Sequence, residues 1–443
     1  MHRLAALTLT LSPTALFAQE VPAVPPVAAA AVPSVAAAAV PSEAPAASTD
    51  AGADARIDAL AAEITRLKEQ LVVPETEALR SQYGLGPAAS KVYGQNKGLS
   101  IGGYGEFYFG HALGDAEKRA PHSGDVYRFV TYLGYKFDDR LVMNTELEFE
   151  HATTEPNVQN GEGGAVSVEF SYLDFLLSPY ANLRAGLVLM PVGFVNEMHE
   201  PTTYRGNFRP SVERQIIPTT WREAGIGLHG VLPAGLSYDA YVVNGLSAAG
   251  FGAKGVRGGR QAGNHFVWED KALVLRLDYT LDDLLLVGGS FYTGGADQDP
   301  TGDTEIKHTL FEGHVQVRSH GLQLRGLFAR NKTEGAEVVP KVDVPEAQQG
   351  FYAELTYDLM PVLSPGSRFG LRPFARFEKF DLNAEVSAGQ TKDKKLDQSE
   401  LAAGLEFLPH ADVVVKAEFN NKSNADKDSD PTREIRLGAG FIF

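Results

Sequence analysis

The chain has 443 residues, 44% of them hydrophobic and 22% charged, which excludes a disordered tail and a collagen-like chain. Its formal charge is −16 with histidine neutral, an acidic balance that disfavours nucleic acid as a partner. It has no cysteine, and no stretch of about 18 consecutive apolar residues in the mature chain. A bilayer crossing must therefore use a closed barrel, which pairs every backbone donor and acceptor internally.

Residues 1–18 read as a secretory signal. Arg3 supplies a positive charge, Leu4 to Leu11 form a short apolar run that Pro13 breaks, and Ala18 marks a cut before Gln19. Leu16 stands where a small residue is usual. Residues 19–49, mostly Ala, Pro and Val, predict an extended spacer without a core of its own.

Residues 50–73 predict a short coiled-coil helix. Ile57, Leu60, Ile64, Leu67 and Leu71 form the seam, Asp54 caps its start and Pro74 bars its continuation. About two and a half heptads are too few for an isolated coiled coil, but an oligomeric barrel would supply the local concentration. Residues 74–98 read as a connector.

From Leu99 to Phe443 the hydrophobic period is two. In the last segment Ile435, Leu437, Ala439, Phe441 and Phe443 alternate with Glu434, Arg436, Gly438, Gly440 and Ile442. About sixteen such segments follow one another, each long enough to cross the hydrocarbon layer while tilted.

Their connections alternate in length. Short ones fall at Asp138-Asp139, Ser178-Pro179, Pro233-Ala234, Asp282-Asp283, Ser319-His320, Pro361 to Gly366 and Pro409-His410. Long polar ones fall near 111–124, 151–164, 191–220, 247–264, 295–303, 332–347, 382–395 and 421–431. The expected fold is all-β: a transmembrane antiparallel barrel of about 16 strands over residues 99–443, in a bacterial outer membrane. Outer-membrane lipid and lipopolysaccharide are then its surroundings, and acidic external loops suit cation bridges to anionic lipid. Tyr135, Phe137, Tyr279 and Tyr357 near short turns, with Phe107 and Phe109 near a long loop, predict two aromatic girdles.

The longest internal connection, Pro191 to Thr220, carries Pro, aromatic and apolar residues that a floppy loop would not need. It is predicted to fold inward and narrow the lumen, with Glu197, Glu200 and Glu213 facing Arg205, Arg209 and Arg214 in a transverse field. The alternative is an external loop with solvated charges.

Strand parity sends Arg368, Arg372 and Arg376 into the lumen as a ladder, with Arg276, Arg318 and Arg325 on neighbouring segments. Stacked guanidinium groups suit oxyanions. Glu146, Glu148, Glu150, Glu312 and Glu378 point inward too, and a mixed wall favours a general channel over a dedicated anion channel. Charges on adjacent strands can also simply pair.

Other motifs carry less. Asp426, Asp428 and Asp430 have calcium-loop spacing, but Pro431 replaces the turn glycine. His308, His314 and His320 stand roughly 20 Å apart along a strand, too far to share a metal. Glu197 and His199 make half a metal site with no third ligand nearby, and the glycines of GGYGEFYFG precede no helix, so no metal or cofactor is expected.

The stretch Met190 to Gly230, with NEMHEP, Arg-Pro-Ser-Val-Glu-Arg and IIPTTWREAGIG, resembles the phosphate-selective porin O and P family over the barrel region. The resemblance implies a sixteen-stranded homotrimer whose third loop constricts each pore, with a basic channel that passes anions. The terminal Phe443, after alternating apolar residues, similarly resembles the signal that outer-membrane proteins present to the barrel-assembly machinery. An enzyme is not expected, since no clustered Ser/His/Asn or Asp/His set is found. An energy-coupled receptor would need about 22 strands and a plug domain.

Overall fold

The computed structural model describes residues 79–443 except 115–121, 159, 302–304 and 340–342. The signal, spacer, coiled-coil segment and first residues of the connector lie outside the described residues.

Sixteen strands form the sheet. The first eight are β1 (Gly98–Leu113), β2 (Ser123–Lys136), β3 (Leu141–Glu150), β4 (Val166–Ser178), β5 (Ala181–Leu189), β6 (Arg222–Leu232), β7 (Leu236–Asn244) and β8 (Lys271–Leu281). The second eight are β9 (Leu285–Gly295), β10 (Lys307–Ser319), β11 (Leu322–Glu334), β12 (Ala347–Tyr357), β13 (Gly370–Glu385), β14 (Asp397–His410), β15 (Val413–Asn424) and β16 (Thr432–Ile442). Each pairs antiparallel with its chain neighbours, and β1 closes on β16 with Tyr104 opposite Ile442. The backbone of Phe443 exchanges hydrogen bonds with Gly103, which extends the seam by one residue (2.9 and 3.0 Å).

The alternation read from the sequence decides which side chains face outward. Along β8, Ala272 and Val274 are buried, whereas Leu273, Leu275 and Leu277 are 39%, 39% and 54% exposed. Phe328, Phe351, Leu355, Leu401 and Leu405 continue this apolar exterior around the barrel. A belt of that extent has no counterpart on water-soluble monomers and matches hydrocarbon. Among the described residues no helix is long and apolar enough to cross a membrane, so the strands make the crossing.

Short turns gather at one rim and long loops at the other, as expected. The first short turn is set by Asp138, whose carboxylate accepts the amides of Arg140 and Leu141 (2.8 and 3.0 Å).

The region expected as a plain connector behaves differently: residues 79–97 pack inside the barrel. Leu85, Ala88, Ala89 and Val92 are buried, and Ala89–Gly94 form a turn of 3-10 helix. Val92 sits on Gly134 of β2, where any Cβ would collide with it. The Tyr93 hydroxyl donates to Asp174 on β4 (2.7 Å).

Candidate functional site

The connection between β5 and β6 folds into the bore. Its two ends are stapled by Asn196, whose amide donates to the carbonyls of Met190 and Trp221 (2.7 and 2.9 Å) and whose oxygen accepts the Trp221 N–H (2.7 Å). Ile216, Ile217 and Trp221 are fully buried, which explains the apolar residues in so polar a segment. A helical turn, Ser211–Gln215, carries Glu213 into the loop's interior.

A loop inside a barrel has no strand to satisfy its peptides, and here the wall supplies charged partners instead. Arg276 donates to the Gly193 carbonyl (2.6 Å), Arg376 to those of Arg205 and Phe208 (2.9 and 3.4 Å), and Lys416 to those of Tyr204 and Gly206 (3.2 and 2.7 Å). Wall carboxylates take the loop's amides: Glu406 from Gly206 (3.2 Å), Glu418 from Asn207 (2.7 Å) and Glu378 from Val212 (2.9 Å). Such charge-assisted bonds are stronger than neutral ones. Glycines on β16 make room, since a Cβ at Gly438 or Gly440 would meet Asn207 or Pro201.

The predicted loop charges all lie inside the barrel, yet acid does not face base as expected. Glu200 accepts the amides of Ala88 and Ala89 (3.0 and 2.9 Å), so it holds the inserted segment. Glu213 accepts the Val195 amide and the Tyr352 hydroxyl (both 2.7 Å); burial pushes its carboxyl up to about 7. Glu197 shares a small cavity with Tyr83, Asp239 and Arg276. Arg205 pairs with Glu406 on β14 (2.8 Å), Arg209 donates to the His199 carbonyl (3.3 Å), and Arg214 rests over Phe208. The physical reason is that other groups lie nearer: Glu200 is taken by amides of the inserted segment, Arg205 and Glu213 by the wall, and Arg209 and Arg214 by a carbonyl and a ring of the loop itself.

The wall charges need a similar correction. Arg376 is clamped between Glu354 and Glu378 (3.3 and 2.8 Å), and Arg372 pairs with Asp358 (3.3 Å). Arg368 precedes β13 and is exposed against Phe369, so it is no rung of a strand ladder. Arg276 pairs with Asp278 (2.9 Å), and Arg325 bonds Gln316 (3.0 Å). Glu148 and Glu150 share Arg128 (3.0 and 3.5 Å), and Glu312 contacts His314 (3.0 Å). Glu146 meets His199 (3.1 Å). Of the predicted arginines, Arg318 and Arg368 have neither hydrogen bond nor ion pair among the described residues, and Arg368 has only its ring contact.

Besides the cavity that holds Glu197, two others abut the loop and carry several arginines. The larger, about 850 Å³, reaches the short-turn rim at Asp283, Gly321, Asp358 and Asp412, and ends on Phe194, Met198, Thr203 and Arg205 of the loop. Arg318 and Arg325, neither paired with a carboxylate, line it along with Arg372. The smaller, about 130 Å³, is lined by Arg128, Arg209, Arg214 and Arg257 with Tyr127, Gln215 and Thr219, and by no acidic residue. Nε of Arg209 and of Arg214 is buried there without a hydrogen-bond partner among the described residues. Burial and the charges of Arg260, Arg209 and Arg214 bring Arg257 down to about 9. The sequence reading missed Arg257 and Arg260; their signal was the Gly-Val-Arg-Gly-Gly-Arg run in the fourth long loop.

A closed sixteen-stranded sheet, greasy outside and charged within, is the fold of an outer-membrane porin. Two solved structures share it: Salmonella typhi OmpF in complex with daunomycin, and a trimer form of in-vitro folded OmpT, an outer membrane protein of Vibrio cholerae. OmpF is 12% identical with a TM-score of 0.52, covering 79% of this chain and 98% of that one. OmpT is 10% identical with a TM-score of 0.50, covering 79% and 100%. No family model matches the chain. An uncharacterized protein of Aquifex aeolicus (strain VF5) is 36% identical over 377 residues, 82% of this chain and 84% of that protein. The chain belongs to one family with it.

Proposed function

We propose that the protein is a passive porin, through which small hydrophilic solutes and ions diffuse across the outer membrane, with loop 191–220 as the narrow point. The observation that carries this reading is a charged, cavity-bearing interior within an apolar exterior. It acts as a conduit and not as a catalyst.

A preference for anions is a second reading, favoured by arginines without carboxylate partners in the cavities against the loop: Arg318 and Arg325 in one, Arg209, Arg214 and Arg257 in the other. Lumen charge of one sign raises the local concentration of the opposite ion. This agrees with the resemblance to phosphate-selective porins O and P. A homotrimer, lipopolysaccharide around the loops and delivery by the barrel-assembly machinery through Phe443 belong to the same proposal. The trimeric form of the Vibrio cholerae protein supports the first of these.

The test is single-channel recording of the full-length protein in a planar bilayer under a potassium chloride gradient. Stepwise ohmic conductance is expected, with a reversal potential on the anion side that Arg318→Glu moves toward cations. Silence at high protein load would remove the channel reading. An Arg318→Glu potential equal to the parent's would remove the anion reading alone.

A further inference from the structure

Three buried side chains, distant in sequence, meet where the inward loop touches the wall: Glu146 of β3, Glu169 of β4 and His199 of the loop. Their candidate ligand atoms all lie within 4.8 Å of one another. His199 Nε2 stands 3.1 Å from Glu146 Oε1 and 3.5 Å from Glu169 Oε2. None of the three side chains is more than 1% exposed.

Glu169 is there because the sheet is irregular. Glu146 pairs with Phe170 and Leu147 with Val168, which leaves Glu169 as the extra residue of a β-bulge. Counted from the inward Phe170, Tyr172 and Asp174, it would face lipid; the bulge turns it into the bore.

The donors are also aimed. His199 Nδ1 is 2.9 Å from the Asn196 carbonyl, which fixes that nitrogen as the N–H donor and presents Nε2 to the two carboxylates. A backbone carbonyl orients metal-binding histidines in the same way. Thr220 and Arg222 both donate to Glu169 Oε1, the latter at 2.7 Å, and leave Oε2 toward the imidazole. Oε2 of Glu146 and Oε2 of Glu169 are buried and accept no hydrogen bond from the described residues.

We propose that Glu146, Glu169 and His199 form a binding site for a divalent transition cation of the zinc type, which fastens the loop to the wall. Tetrahedral zinc with bonds of about 2.1 Å sets its ligands about 3.4 Å apart, close to the two separations observed. Calcium and magnesium favour six or more oxygen ligands, whereas imidazole with carboxylate suits zinc and its neighbours. A water completes the fourth position.

The experiment uses the full-length protein in detergent, stripped with a chelator and titrated with zinc chloride, with stoichiometry read by elemental analysis. The stacked pair His111 and His122, 3.9 Å apart, is a second imidazole source. The titration is therefore repeated in the double variant H111A/H122A. One zinc per chain is expected in both proteins, with affinity at least 100-fold weaker in His199→Ala and Glu169→Gln. Cobalt should give the visible absorption of a four-coordinate site in the parent, and none in those variants. Should His199→Ala not yield a heat-modifiable barrel, the near-isosteric Glu146→Gln is read in its place. No stoichiometric binding in H111A/H122A, or equal binding in the ligand variants, would overturn the site in favour of a histidine shared between two carboxylates. Binding is measured without a membrane, so its failure leaves conduction untouched.

Discussion

Along β2 to β9 the inward face carries an apolar patch, with Val130, Tyr132, Val142, Phe170, Tyr172, Tyr241, Val274 and Tyr292 all buried, beside charged groups that pair with one another, such as Arg184 with Asp174. Against that patch lie Leu85, Ala88, Val92 and the root of the inward loop. Along β10 to β15 the inward positions include Arg325, Glu354, Arg376, Glu378, Glu400, Glu406, Lys416 and Glu418. These grip the far part of the loop, and the open cavity lies on this side toward the short turns. One sheet thus offers an apolar patch to the inserted segment in its first half and charged grips to the far part of the loop in its second. Apolar packing, reinforced by hydrogen bonds such as Tyr93 to Asp174, holds the inserted segment, while charge-assisted bonds hold the far part of the loop, so the two halves should fail in different ways.

The largest effect is expected in the charged half. Arg376→Ala strips Glu354 and Glu378 of a buried partner and releases two loop carbonyls. A loss of about 3–5 kcal/mol is expected, read as the denaturant midpoint of the heat-modifiable form. A midpoint near the parent's would show that the clamp is dispensable. Asn196→Ala opens the staple at the boundary between the halves. Three hydrogen bonds vanish, for about 2–4 kcal/mol, and single-channel current should become larger and noisier.

Glu213→Gln tests the loop's interior through pH. The folded carboxyl titrates at about 7, above its ordinary range, because it is buried. The folded state therefore holds the proton more tightly than the unfolded chain. Its contribution is full at pH below about 4.5 and is lost as pH rises through 7. The variant should lose that part of the slope, up to about 1.4 kcal/mol per pH unit, and a slope identical to the parent's would contradict the assignment. Smallest is Arg318→Glu. The residue makes no bond to the clamp, so stability should change by under about 0.5 kcal/mol while the reversal potential moves.

The barrel was legible because its signals are local and repeated. Alternation such as Ile435, Leu437 and Phe441 against Arg436, Gly438 and Gly440 fixes both strand and outward face, and the turns at Asp138 and Asp282 set the rhythm of connections. That the long loop turns inward was legible from Phe208, Ile216 and Ile217, which would have no place in water. The partners of its charges were not. Glu200 could not be matched to Ala88 and Ala89 from sequence, because the two lie over a hundred residues apart and the contact is made inside the bore. The inserted segment did carry a signal, since Leu85, Ala88, Ala89 and Val92 have the spacing of one helical face. Glu169 was hidden for a sharper reason: a bulge reverses strand parity, and nothing in the residue types around it announces the reversal.

The grips on the loop's peptides have a mechanical corollary. Swinging that segment out toward the solvent would break the bonds its peptides make to Arg376, Lys416, Glu378 and Glu418, at about 1.5–3 kcal/mol for each charged hydrogen bond. A hinged door is therefore the wrong picture; the segment is closer to a keystone, and the side chains that fringe it, Met198 and Arg325 among them, line the cavity that opens toward the short turns.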